Sequence, residues 1–286
     1  NNPDILGVVG HSISDTALAA AEIYQANQLV MVSPSSSAVK LSNFGSYIFR
    51  TIPSDSFTAK ALTRYMLTKL QKKRAIVFFN SASAYSTSLK DEFKQALFYN
   101  GADLVDEIDL SRPDFDPADS MNRALTERAD VIMLASDSAV SDRAIQVIQL
   151  NQKRLPILAG DSLSVTKALT VGQAEAVGMV LATPTSIIGS PFQKNAAQFW
   201  GTSEAISWRT ALSYDAAKAL ITAISRDPTR EGVQRSLTQP DFSAQGATGS
   251  VRFTTSGDRQ GQVQLATIVP VKTGRQMTYA VKPLTN

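Results

Sequence analysis

The sequence predicts an α/β protein in which parallel sheets are covered by helices on both faces and two lobes share a discontinuous chain. Three observations carry this. Six short apolar runs, Ile5 to Val9, Leu29 to Val32, Ala75 to Phe79, Leu104 to Ile108, Val131 to Ala135 and Pro156 to Ala159, have the length and continuity of strands buried on both faces. Helix-period segments alternate with them, which calls for right-handed crossovers between parallel neighbours. Beyond residue 188 the character changes twice, first to helix and then to strand and turn, with no composition break that marks a long linker.

Taken in order, Asp15 to Ala26 starts at a Ser/Asp/Thr cap and sets Ala17, Ala20, Ala21 and Tyr24 at helical spacing. Ser54 to Leu70 carries Leu62, Tyr65, Met66 and Leu70 on one side, with Ser54 as its cap after Pro53. Tyr85 to Tyr99 aligns Leu89, Phe93, Ala96 and Leu97 and stops at Asn100 and Gly101, a good C-terminal signal. Ala139 to Leu150 repeats the pattern. From 189 to 226 the chain is mostly helical; Trp208, Leu212, Ala216, Leu220 and Ile224 form one stripe, closed by Asp227 and Pro228. From 247 to 283 it reads as strands, with a Thr255-Ser256-Gly257-Asp258 turn between Val251 to Phe253 and Val263 to Val271.

Composition removes several function classes. The chain has 286 residues, 43% of them apolar, and a formal charge of only +3. The one dense basic run is Lys72, Lys73 and Arg74, so nucleic acid is not an expected partner, because phosphate binding needs a basic stripe on one face. There is no Cys, hence no disulfide, thiolate nucleophile or Cys zinc site. No stretch reaches the ~18 consecutive apolar residues of a membrane span, and the polar start Asn1, Asn2, Pro3, Asp4 is not a signal peptide. His11 is the single histidine, so any Ser/His/Asp triad must use it. Directly after Gly10 at a strand end, it reads as a packed or capping side chain. With no P-loop, dinucleotide fingerprint or zinc-protease motif, binding is favoured over catalysis, and no metal or cofactor is called for.

In open parallel sheets ligands lie beyond the carboxyl ends of the strands, where helix-start amides face the crevice. Four loops qualify. Gly10 to Thr16, containing Ser14, follows the first run; Ser33 to Ser37, containing Ser35, Ser36 and Ser37, follows the second. Hydroxyls and amides on two adjacent strand ends can hold a carboxylate without an arginine; each serine taken alone is equally explained as a helix cap. Asn80 to Tyr85 and Gly160 to Ser162 are the other two. Tyr85 at a helix start can wall a crevice. Asp161 at a strand end suits an ammonium counter-charge, and helix capping explains it as cheaply.

The segments Val8-Val9-Gly10-His11-Ser12-Ile13-Ser14, Met31 to Ala38, Phe49 to Asp55, Tyr85-Ser86-Thr87-Ser88-Leu89, Tyr214-Asp215-Ala216 and Gly249-Ser250-Val251-Arg252-Phe253 together carry a resemblance. In order and spacing, across nearly the whole chain, they resemble the type I periplasmic binding proteins, and most closely the leucine/isoleucine/valine binders of ABC importers. The resemblance implies two doubly wound lobes on a three-segment hinge, residues 1–53 with 184–252 and residues 54–183 with 253–286. It also implies roles. Ser14 and Ser37 resemble the residues that bind the ligand carboxylate, and Ser35 the one whose main-chain carbonyl accepts from the ammonium. Tyr85 resembles the second-lobe tyrosine that closes on the ligand, and Asp161 the acidic residue on the ammonium.

Three departures accompany it. Ile13 stands where the branched-chain binder has a cysteine. Ser136, Asp137 and Ser138 stand where it has an aromatic, so Asp137 either favours a ligand with a second cationic or donor group or is a solvated loop aspartate. The family places two more β-α units before the strand at Ile5, roughly sixty residues at 30 or more per unit. A first lobe without them exposes sheet edges and leaves room for self-association, completion by a neighbour or origin in a longer protein. The function implied is capture of a small polar ligand, an amino acid or related amide, in an interlobe cleft and its delivery to an ABC transporter permease. The location implied is periplasmic or extracellular, membrane association included. The rivals are the ligand-sensing domain of a signalling receptor, an amide or urea binder, and an enzyme working through Asp137, Asp161 or the serines.

Overall fold

A computed structural model of the chain describes residues 2–163, 167–185, 187, 189–201, 206–273 and 276–284. It divides into two compact units, Asn1–Ser54 with Pro184–Gln262 and Asp55–Thr183 with Val263–Asn286.

In the first unit, β1 (Gly7–Val9), β2 (Val30–Ser33) and β3 (Ile48–Arg50) form a parallel sheet in that order, with Val8 beside Met31 and Val32 beside Phe49. All four β2 residues are buried because helices cover both faces, which is why this strand reads as an unbroken apolar run. On one face α1 (Ser14–Ala26) packs Ala17 and Ala21 against Met31 and Ile48. On the other, α7 (Trp208–Arg226) and α8 (Arg230–Thr238) pack Ala216, Ala219, Leu220, Val233 and Leu237 against Val30, Val32 and Phe49. A 3-10 turn at Val39–Leu41, a further helix, α6 (Pro191–Trp200), and a short hairpin, β9 (Ala244–Gly246) with β10 (Gly249–Val251), complete its described elements. Both tryptophans of the chain, Trp200 and Trp208, belong to this unit.

The second unit is built on seven strands in the order β12-β11-β8-β7-β6-β4-β5: β4 (Arg74–Phe79), β5 (Asp103–Asp109), β6 (Val131–Ala135), β7 (Ile157–Ala159), β8 (Val180–Thr183), β11 (Gln264–Thr273) and β12 (Gln276–Pro283). The strand alternation separates two cores. Ile76, Phe78, Ile132 and Leu134 face α4 (Pro117–Thr126) and α5 (Ser141–Asn151). Ala75, Val77, Val131 and Met133 face α2 (Asp55–Thr68) and α3 (Ala84–Tyr99).

Three expectations are adjusted. The second sheet is mixed rather than wholly parallel, since β11 runs antiparallel to both β8 and β12. Residues 253–262 pack in the first unit, not the second: Asn43 and Arg50 donate backbone N–H groups to Ser256 and Gly257 at 3.0 Å each, and Asp258 pairs with Arg50. Ser54 also falls in the first unit. Gly257 in that turn has φ +78°, and a Cβ there would overlap the Ile48 carbonyl oxygen, so the turn needs its glycine. Finally, α1 begins at Ser14 with Ile13 at its N-cap position, and it has no side-chain cap because Ile13 carries no hydrogen-bonding side chain.

Candidate functional site

In the first unit the loops after β1 and β2 are joined by serine hydroxyls. Ser33 Oγ and Ser36 Oγ both donate to the His11 carbonyl, at 2.7 and 2.8 Å, Ser36 N donates to Ser33 Oγ, and Ser35 Oγ donates to the Ser12 carbonyl at 2.8 Å. Ser35 and Ser36 thus use their hydroxyls on backbone, while the Ser35 role implied by the resemblance concerns its main-chain carbonyl, which these bonds do not touch. Ser14 and Ser37 differ. Ser14 Oγ accepts from Ala38 N at 3.3 Å, which leaves its own O–H to give. Ser37 is 1% exposed and its Oγ has no hydrogen-bond partner. A buried hydroxyl without a partner costs about 1–3 kcal/mol, which sets Ser37 apart from its neighbours. The Ser14 hydroxyl thus holds the backbone beside Ser37, at Ala38 N. The His11 ring lies instead against Tyr24, Nε2 to hydroxyl 3.2 Å, and stacks on it. The serines therefore meet the His11 carbonyl and not its imidazole.

In the second unit the carboxyl ends of β4, β6 and β7 present Asn80, Ser136 with Asp137, and Gly160 with Asp161. Ser83 caps α3 by accepting from Ser86 N, and this places Tyr85 in the first turn with its ring buried. The Tyr85 hydroxyl is hydrogen-bonded to Asp161 and accepts from Ser162 N at 3.3 Å. It passes directly over Gly160, where a Cβ would collide with it. Burial, then the charges of Asp161 and Asp55, push the phenol well above its ordinary pKa and keep it a neutral donor. Asp161 is 8% exposed and Asp55, the first residue of α2, 1%. Tyr85, Asp161 and Asp55 thus form a buried polar cluster within the second unit.

Asp137 lies apart from this cluster in its bonding. Its Oδ2 accepts from Asn80 Nδ2 at 3.0 Å and its Oδ1 accepts from Ala139 N and Val140 N ahead of α5. That is a capping role, which neither of the two expectations for this residue names. Beside it Ser136 Oγ is buried without a partner. A hollow of about 430 Å³ lined by Asn80, Ser111, Asp142 and Arg143 includes neither Tyr85 nor Asp161. Among the described residues no group of three His, Asp or Glu side chains is arranged to hold a metal, and no helix is long and apolar enough to cross a membrane.

Asp55 carries no role in the sequence reading. An acidic residue in the first turn of a helix has an ordinary explanation in the helix dipole, so nothing local marks its effect on Tyr85, thirty residues on.

Comparison with known proteins gives a consistent result. The family described as periplasmic binding protein matches residues 1–276. The Leu/Ile/Val-binding protein of Rhizobium johnstonii is 27% identical over 194 residues, 66% of this chain and 52% of that protein, so the chain spans about half the length of this relative. The leucine-specific-binding protein of Salmonella typhimurium is 22% identical over 271 residues, 91% of this chain and 71% of that one. Among solved structures, a leucine-binding protein from Thermotoga maritima superposes with TM-score 0.79 at 23% identity, covering 97% of this chain and 79% of its own. A solute-binding protein from Rhodopseudomonas palustris in complex with p-hydroxybenzoic acid gives 0.79 at 16%, covering 98% and 78%.

Proposed function

The chain belongs to the periplasmic binding protein family, and from that premise we propose that it captures a small carboxylate-bearing solute, an amino acid before other classes, and delivers it to an ABC importer. The role is binding outside the cytoplasm, not turnover. Ser37 carries the reading: a hydroxyl buried and without a partner, adjoining Ser14, at the carboxyl ends of parallel strands. Both hydroxyls donate to the ligand carboxylate. In the second unit, Asp161, hydrogen-bonded to Tyr85, is the residue whose chemistry suits an ammonium. Charge-assisted contacts of this kind contribute ~1.5–3 kcal/mol each.

The amino-acid class is favoured by Asp161 and by the leucine binders among the relatives. An aromatic acid, such as the Rhodopseudomonas protein holds, has the carboxylate but no cation for Asp161. Calorimetry with L-leucine, L-serine and 4-hydroxybenzoate separates these. Ser37→Ala is expected to weaken every carboxylate ligand about ten- to a hundredfold, and Asp161→Asn to weaken the amino acids alone. Tight binding of 4-hydroxybenzoate only, unaffected by Asp161→Asn, moves the assignment to aromatic acids. Undiminished amino-acid affinity in both variants overturns the residue roles.

A further inference from the structure

Arg50, at the end of β3, is 2% exposed and heads the large fully buried side chains of the described chain. A guanidinium is costly to bury unless it is paired and its donors are used, so its partners indicate its purpose. Nε donates to Asp258 Oδ1 at 2.6 Å and Nη2 to Ser42 Oγ. Nη1 donates to the Ala38 carbonyl at 2.8 Å and reaches the Ser36 carbonyl at 3.5 Å. Those two carbonyls bracket Ser37. Between them, on the Ser37–Ala38 peptide, Ala38 N donates to Ser14 Oγ. The counter-ion is fixed as well: Ser42 Oγ and Ser256 Oγ donate to Asp258 at 3.2 and 2.9 Å, and the Arg50 backbone N–H holds the Gly257 carbonyl.

From this geometry we infer that Arg50 is a positioning residue for ligand capture: with Asp258 as counter-ion, its planar fork holds the carbonyls on either side of Ser37 and so fixes the Ser14 and Ser37 hydroxyls as a pair. The inference rests on the reading of that pair as a carboxylate site. Arginine suits the task where lysine does not, because one rigid plane serves a carboxylate, a hydroxyl and two carbonyls at once, whereas an ammonium is a single point on a flexible stem. A requirement for buried bulk alone would be met by an apolar side chain without the desolvation cost.

The test combines affinity with local backbone protection. Arg50→Lys and Asp258→Asn are made in the parent and in the Ser37→Ala background. Affinity is measured with the tightest of L-leucine, L-serine and 4-hydroxybenzoate, all of which carry the carboxylate. Each clamp variant is expected to weaken binding about tenfold in the parent and less than about twofold in the Ser37→Ala background, because the pair acts through that hydroxyl. Amide exchange at Ala38 is expected to quicken in the clamp variants while amides of β2 stay protected. Equal loss in both backgrounds, or no loss in the parent, overturns the positioning role. If Arg50→Lys does not fold, Asp258→Asn carries the test alone. If the parent binds none of the three probes, the carboxylate reading falls. Exchange then decides for the clamp: quickening confined to residues 36–38 upholds it, and unchanged exchange overturns it.

Discussion

Tyr85 sits where a neutral donor is wanted and an ionised one would be repelled. Its phenol is raised by burial first and then by Asp161 and Asp55. The unfolded chain therefore loses this proton near pH 10 while the folded chain keeps it. The stabilisation is complete below about pH 10 and declines as pH rises beyond it. Urea midpoints followed from about pH 9 to about pH 11 are expected to fall, and less steeply in Tyr85→Phe, which has no proton to lose. Gly160→Ala is expected to cost about 1–3 kcal/mol and to displace the Tyr85 ring, since the added methyl meets its hydroxyl and Leu89; thermal unfolding checks it. At this scale the strand-end rule marks Tyr85 and Asp161 as candidates, and the structure joins the two by a hydrogen bond. The sequence could not separate Ser36, spent on the His11 carbonyl, from Ser37, spent on nothing, because adjacent serines look alike until the backbone is placed.

Among the elements, α3 is expected to lose about 1 kcal/mol in Ser83→Ala, because the Ser83 hydroxyl caps Ser86 N, and thermal unfolding checks it. The neighbouring edge strand β5 is defended by charge. Asp106 pairs with Arg123, and Glu107 with Lys90 and Lys94 at 2.9 and 2.8 Å, which discourages pairing with another strand. At its end, burial tends to raise Asp109, but hydrogen bonds from Ser111 and Ser81 outweigh it and hold its pKa at about 2. That contribution is present above the ordinary value near 3.8 and lost as pH falls toward about 2, so acid unfolding of Asp109→Asn is expected to lack this part of the slope. Strand β6 matches its apolar run residue for residue, and β4 and β7 differ from theirs by one. The strand β3 was not legible because three residues, one of them a buried arginine, give no period. Nor was α4: its buried face is Ser120, Met121 and Ala124, a single large apolar side chain between two small ones, which does not mark a stripe.

For the whole molecule, the chain passes between its two units near residues 54, 183 and 262. Two lobes drawn from a discontinuous chain were legible from the changes in character after residue 188. The place of residues 253–262 was not, because it depends on Arg50 and Asp258, over two hundred residues apart. A ligand that binds only the folded protein is expected to raise its stability by about 2.7 kcal/mol at a hundred times its Kd, readable as a higher melting temperature.

One consequence of the tryptophan placement is practical. Since Trp200 and Trp208 both lie in the first unit, with the Arg209 guanidinium 4.1 Å over the Trp208 ring, indole fluorescence is a one-sided reporter. Emission follows the loosening of that half, whereas far-ultraviolet ellipticity averages the helices of both. Superimposed curves from the two signals mean a single cooperative transition, and curves that separate assign the earlier or later melt to a named half without any label being attached.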